Sequence, residues 1–356
     1  MPPLTHATEN IVSLLENWYD ASLYFLDQAD YMRKLDMRTV QTIAILLGLY
    51  KNMGDFSLHS THLACGIRIA QHLHLDNDKL NNSSSLIDNE VRRRVWWTLM
   101  ICEWLQRPIG LFFVRESEFD VALPLHMDDE ELVWQSSGAP TQTPTADRPR
   151  AVQYHLVLIE VAKLWHRFRL ALPKIRQDPE KLESLVLQND EALADIISNL
   201  PLHLQDDASI FDSITSPLWI PWQRNSLSMS LLYYRMAINR ILQDQWVQSP
   251  NSFARTQAIC IGSAQAIISV VDRYSATSAR NRPWAIASTL FSAAVTLAVE
   301  ARFSDAETAA SYVADVSRCI AFLSTIRDRN VVAARAVEVL KSCLSTADQP
   351  ISFQPT

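Results

Sequence analysis

Residues Asn89–Pro108 read NEVRRRVWWTLMICEWLQRP. Val91, Val95, Thr98/Leu99, Cys102 and Leu105 recur every three or four positions, which is the apolar stripe of an amphipathic helix. Pro108 supplies the stop, because its ring cannot continue the helical ladder. Glu90 stands one turn before Arg94, a favourable ion-pair spacing. Three consecutive arginines near a helix start run against the macrodipole. Arg92, Arg93 and Arg94 are therefore expected in salt bridges that tie down neighbouring loops, or on a solvated face, with an anion or partner site as the alternative. Trp97 and Trp104 are seven residues apart and share a face, whereas Trp96 points elsewhere; packing explains them better than an aromatic cage.

The same spacing extends in both directions. Ile11, Leu14/Leu15, Trp18, Ser22 and Phe25/Leu26 form one stripe. Val40, Ile43/Ala44, Leu47 and Tyr50 form a second. Leu58, His62, Cys65/Gly66, Ile69 and Leu73 form a third, with Ser57 as its expected cap. Between about 107 and 150 the periodicity is lost and five prolines recur. This stretch is expected to be a long irregular connection, packed in its first part and mobile from about Ser136 to Asp147. Helical signals resume at Pro149, expected at the first helical position. They continue with Asp178-Pro179-Glu180, a cap followed by a first-turn proline. Further helices are expected at about 226–246, 252–274, 284–302, 305–327 and 330–345, the fourth with a capping box Ser304-x-x-Glu307. No strand is convincing.

Composition agrees with an all-α reading. The 356 residues include only 6 glycines, where average usage of about 7% would give roughly 25. Sheets, tight turns and phosphate loops depend on glycine, so dinucleotide folds, barrels and sandwiches are disfavoured. The expected fold is a single large, irregular multi-helix domain. It comprises a helical part at about 9–106, the connection 107–150, a helical part at 151–346 and a tail 347–356. The net charge of −7 lacks the electrostatic footprint of a nucleic-acid binder. Five cysteines, widely spaced and without a C-x-x-C, suggest free thiols in a reducing compartment. No signal peptide is seen at the N-terminus. The most apolar run, Trp284–Val299, falls short of the roughly 20 residues that span a bilayer.

Catalytic signatures are absent from the sequence: no G-x-G-x-x-G, P-loop, G-x-S-x-G or H-E-x-x-H occurs. His59 and His62 stand three apart and could share a metal in principle, but no third ligand is evident. Partly buried, hydrogen-bonded histidines are the expected state, and no metal or cofactor is expected.

The stretches VQTIAILLGLYKNMGDFSLHSTHLACGIRIAQHLHLDND and NEVRRRVWWTLMICEWLQRPIGLFFVRESEFDVALPLHMDDEE resemble the regulatory "middle homology" domain of fungal binuclear zinc cluster transcription factors. The resemblance rests on the alanine-rich helix around Ala64–Ala70 and on Glu90 with Arg92, Arg93, Arg94, Trp96 and Trp97. It also rests on the Arg107-Pro108 turn and the loop from Asp120 to Pro124. Weaker agreement covers most of the rest, including Asn199-Leu200-Pro201 and the Leu231–Arg240 helix. The family's six-cysteine DNA-binding cluster has no counterpart in this sequence. His74 and Gln106 stand where relatives usually place glycine.

The resemblance implies a regulatory or effector domain of a fungal transcription factor, nuclear or cytoplasmic. It would sense a ligand or partner and would not itself bind nucleic acid or membrane. Glu90, Arg92–Arg94, Trp96, Trp97, Arg107, Pro108, Asp120 and Pro124 would be structural. The candidate ligand-binding residues are His62, Glu103, Trp104, Tyr234 and Arg240. Expected partners are a small-molecule effector or substrate, another protein, or a second copy in a homodimer. A second reading is a free-standing copy recruited as a small-molecule-binding protein or enzyme of acid/base or cyclase type. Glu103 or a histidine would then be its acid or base. A dimerising or purely structural module is a third.

Overall fold

The computed structural model describes residues 4–80, 85–105, 112–136, 148–206, 217–249, 253–273 and 284–347. Among these residues the fold is all-α, and the sole β-type pairing is an isolated parallel bridge between Asn77 and Asp120. The chain divides into two compact units, Met1–Pro144 and Thr145–Thr356.

The first unit contains α1 (Leu4–Gln28), α2 (Met37–Leu47), α3 (Tyr50–Met53), α4 (Phe56–His72), α5 (Leu86–Trp104) and α6 (Asp129–Ser136). Helices α2, α4 and α5 pack on one another. A Cβ at Gly66 would meet Ile43 Cγ2 at 2.9 Å, so glycine there lets α2 and α4 approach closely. The second apolar stripe is core: Val40, Ile43, Leu47 and Tyr50 are all buried. The first stripe is not. In α1 the unit buries Tyr19 and Leu26 and leaves Leu14, Leu15, Trp18 and Phe25 exposed.

Several boundaries differ from expectation. The N-cap position of α4 is Asp55 rather than Ser57, and its carboxylate accepts the Tyr19 hydroxyl instead of a helix amide. The connection carries helix α6 in its first part, begun by the acidic turn Asp129–Glu131 that complements a helix N-terminus. The segment 137–147 and the residues Gln106, Arg107 and Pro108 lie outside the described residues.

The second unit contains α7 (Val152–Ile175), α8 (Pro179–Ser198), α9 (Trp219–Asn239), α10 (Gln243–Gln248), α11 (Ala254–Ser269), α12 (Trp284–Glu300), α13 (Ala306–Ile326) and α14 (Val331–Ala347). Helices α7, α8 and α9 pack together, α9 packs on α11, and α12 meets α9, α11, α13 and α14. Small residues make this crowding feasible: Ala287, Ser288, Ala293, Ala294 and Ala298 of α12 are all buried.

Asp178 caps α8 with Pro179 at the first position, as expected, and its carboxylate accepts the Lys181 amide. Helix α7 begins at Val152, three residues after Pro149. Helix α9 begins at Trp219 rather than near Ser226; Pro221 falls in its first turn, where the missing N–H has no intrahelical partner to lose. Asp305, not Ser304, caps α13 by accepting the Glu307 and Thr308 amides. The Ser304 hydroxyl instead donates to the Glu300 carbonyl. No described helix is long and apolar enough to cross a membrane.

Candidate functional site

Helix α5 is the organising element of the first unit. Ser85 caps it, accepting the Asp88 amide. The arginine run then fans out into three loops. Arg92 Nη1 donates to the Leu73 carbonyl at 3.0 Å, closing the turn after α4. Arg93 pairs with Asp78 at 2.8 Å, and the same carboxylate accepts the Ala122 amide. Arg94 bridges three groups: Glu90 Oε1 at 2.8 Å, Asp129 Oδ1 at 2.6 Å and the Met127 carbonyl at 2.7 Å. Each cation thus meets an acceptor that offsets its unfavourable place near the helix start.

Further along α5 the contacts are aromatic. Phe119 lies against three tryptophans, with ring centroids 5.3 Å from Trp96, 5.5 Å from Trp97 and 6.0 Å from Trp104. The Trp97 indole donates to the Ala122 carbonyl at 2.9 Å, and the Trp104 indole to the Val114 carbonyl at 3.0 Å. Glu103 accepts the Phe113 amide at 2.6 Å. Asp120 closes the ladder: its amide donates to the Asp76 carbonyl, its carbonyl accepts the Asp78 amide, and its carboxylate pairs with Lys79. Pro124 is buried beside Leu125, whose amide reaches Glu90. The E-x-R-R-R-x-W-W block, with Glu103 and Trp104 further along the helix, therefore holds residues 113–129 along α5.

The five ligand-binding candidates have separate partners. His62 sits between two phenols, with Nδ1 2.6 Å from Tyr50 Oη and Nε2 3.3 Å from Tyr31 Oη. Burial pushes its pKa down, and Asp27 opposes this. Beside it, His59 packs edge-on to Tyr50, and burial, helped by Lys51, pushes it down to about 3. Tyr19 donates to Asp55 at 2.5 Å. This cluster joins α1, α3 and α4. Glu103 and Trp104 hold the 113–114 backbone, as described above. Tyr234 and Arg240 belong to the second unit. Tyr234 packs on Trp165 at 5.2 Å, and burial pushes its phenol well up. Arg240 Nη1 lies 3.4 Å from Thr296 Oγ1. Among the described residues, no group of three or more His, Cys, Asp or Glu side chains is placed to hold a metal ion.

The second unit holds features that sequence periodicity missed. Glu300, fully buried, accepts N–H groups from Gln243, Trp246 and Gln257 at 2.7–3.0 Å. Buried Asp190 ties α8 to α9 through Arg235 and Asn239. Most pertinent is a cleft of about 320 Å³ between the end of α8, the turn after it and α9. Leu200, Leu204, Leu231 and Leu232 line it, and Ser228 donates to Asp206 at its edge.

The chain is similar to several fungal proteins. It is 22% identical to the transcription factor TAS2 of Pyricularia oryzae, over 71% of this chain and 34% of that protein. It is 20% identical to the agnestins biosynthesis cluster transcription factor AgnL11 of Paecilomyces divaricatus, over 81% of this chain and 43% of that protein. It is 22% identical to the probable transcription factor lepB of Aspergillus flavus, over 70% and 47%. The matched region thus spans between a third and a half of each relative's length. The model of the fungal specific transcription factor domain matches residues 14–294. That span takes in the arginine–tryptophan strip of α5 and the α8–α9 cleft, and with it the chain belongs to the fungal specific transcription factor domain family.

Proposed function

We propose that this chain is the regulatory region of a nuclear fungal transcription factor, and that it responds to a small, largely apolar effector held in the α8–α9 cleft. The observation that carries this reading is the cleft itself. Its volume of about 320 Å³ lies at the small end of ligand pockets. Leucine side chains supply apolar area, and the Asp206–Ser228 pair supplies a polar edge for orientation. An effector that binds one arrangement of α8 and α9 more tightly than another shifts the balance between them. The Asp190–Arg235 tie between those helices is the contact such a shift would strain. Control of a biosynthetic gene cluster, the role for which the Paecilomyces relative is named, fits this reading.

The test uses anilinonaphthalene sulfonate as an apolar probe. Wild-type protein binds it saturably at one site. Ser228→Trp, which fills the cleft from a half-buried position, abolishes that site without lowering the melting temperature. In cells, fusion to a heterologous DNA-binding module gives reporter output that Ser228→Trp changes. Probe binding unaffected by Ser228→Trp would overturn the proposal.

A further inference from the structure

Helix α1 carries two apolar faces, and the first unit uses only one. Tyr19 and Leu26 are buried. On the adjoining face Leu14 is 43% exposed, Leu15 52%, Trp18 58% and Phe25 69%. At 100° per residue these four and Ala21 fall within a stripe about 120° wide centred on Trp18. Leu14, Trp18, Ala21 and Phe25 also keep the 4-3-4 spacing of a helix-pairing seam, and the sequence continues it through Ile11, Ala7 and Leu4.

We propose that this stripe pairs with the same stripe of a second copy of the chain, antiparallel, with Trp18 on the two-fold axis. Three observations select that occupant. First, the stripe is close to symmetric about Trp18: apolar residues stand seven away at Ile11 and Phe25 and three away at Leu15 and Ala21, with Leu14 and the small Ser22 four away. A two-fold contact demands such self-complementarity. Second, Ser22 within the stripe and the flanking Asn17 and Tyr24 are uncharged, while Glu16, Asp20 and Asp27 lie on the far side of the helix. Two copies of this acidic chain therefore meet without like charges in the seam, and a charged partner would find nothing to pair with. Third, the exposed portions of Leu14, Leu15, Trp18 and Phe25 amount to roughly 450 Å² per copy, taking 150–250 Å² for each whole aromatic side chain. Two copies then bury roughly 900 Å², in the range of weak, transient contacts. The dimer is accordingly reversible and concentration-dependent.

Sedimentation equilibrium of the wild-type chain across the micromolar range tests this. The expected result is a monomer–dimer equilibrium. The double variant Trp18→Glu/Phe25→Glu shifts it to monomer, with unchanged helical circular dichroism because both side chains are already exposed. Oxidative cross-linking checks the geometry. Trp18→Cys forms a covalent dimer above the background of the wild-type cysteines. Phe25→Cys does not, because its two copies lie about 21 Å apart along the helix axis. A wild-type chain that stays monomeric, as it would if another segment or another protein covered the stripe, overturns the proposal. So does equal cross-linking at both positions, which would mean parallel pairing.

Discussion

Glu90 and Leu125 are 35 residues apart in the chain, yet both carboxylate oxygens of Glu90 lie 3.0 Å from the Leu125 amide nitrogen. Glu90 is fully buried, so this carboxylate, shared with Arg94, joins α5 to the segment lying along it. Glu90→Ala leaves the Leu125 amide without its acceptor and Arg94 with only Asp129 and the Met127 carbonyl, at a cost of about 2–3 kcal/mol. Glu90→Gln keeps an acceptor and costs about 1–2 kcal/mol. Urea denaturation gives the ranking. Trypsin cleavage after Arg115 should accelerate more in the alanine variant.

Trp97 combines packing with a hydrogen bond, and two substitutions separate these. Trp97→Ala removes its contacts with Phe119 and Trp104 and should cost about 3–5 kcal/mol. Trp97→Phe keeps an aromatic ring and loses the bond to the Ala122 carbonyl, costing about 1–2 kcal/mol. A loss below 1 kcal/mol for Trp97→Ala in chemical denaturation would contradict its core role.

His74 adopts φ 56° in the turn that ends α4. Its amide donates to the Gln71 carbonyl, and the Leu75 amide to the Ala70 carbonyl, the paired bonds of a Schellman cap. That position favours glycine, since a side chain in the left-handed region costs about 1–2 kcal/mol. His74→Gly should therefore raise the urea midpoint, by about 1 kcal/mol in stability. His74→Val, branched at Cβ, should lower it.

The His59 cluster makes the first unit sensitive to acid. Burial holds the folded pKa of His59 at about 3, below the ordinary value near 6.5. Between these pH values the unfolded chain takes up a proton that the folded chain refuses. The stabilisation is present above pH 6.5 and is lost as pH falls toward 3, by at most about 1.4 kcal/mol per pH unit. His62 acts in the same direction. Melting temperature against pH should fall less steeply for His59→Gln than for wild type over that window.

Glu300 anchors α10 and α11 to the end of α12. Glu300→Leu leaves three N–H donors without their acceptor and should cost about 3 kcal/mol, whereas Glu300→Gln should cost less. Hydrogen exchange of the α10 amides should quicken in the leucine variant first.

Much of the architecture was legible because helices advertise themselves through spacing. The stripe Val40–Tyr50 became core, and Asp178-Pro179 capped α8, since both signals act within a few residues. Helix starts one or two positions off, Asp55 for Ser57 and Asp305 for Ser304, show the limit of that locality: the path of the incoming chain sets the N-cap position, and at Asp55 the carboxylate turns to Tyr19 instead. On α5 the stripe through Val91 and Val95 was expected to face the core. Of that stripe Leu99 is buried, and the buried set also takes in Glu90, Trp96, Trp97, Met100, Glu103 and Trp104, because residues 113–129 return to cover a second face. Of the candidate ligand-binding residues, His62, Glu103 and Trp104 were recognisable as polar or aromatic residues on helices. Their partners were not: Phe113 and Val114 contribute backbone groups, which leave no mark on residue type, and Tyr31 and Tyr50 meet His62 only once separate helices pack. The cleft was hidden for a related reason: it is a gap between α8 and α9, and no single residue encodes a gap.

The sequence by itself determined the all-α class and the order of its helices. Glycine scarcity and 3.6-residue periodicity are local properties of the chain. It also carried the arginine–tryptophan block that marks the family. Tertiary structure alone decided what that block does. Only when 113–129 folds back do Arg94, Glu90 and Trp97 find Met127, Leu125 and Ala122, residues between 25 and 35 positions away. Tertiary structure also decided that α1 spends Tyr19 on its own unit and leaves Trp18 outside. The two residues are neighbours on the helix, and only the packing of the rest of the unit distinguishes a buried face from an adjoining exposed one.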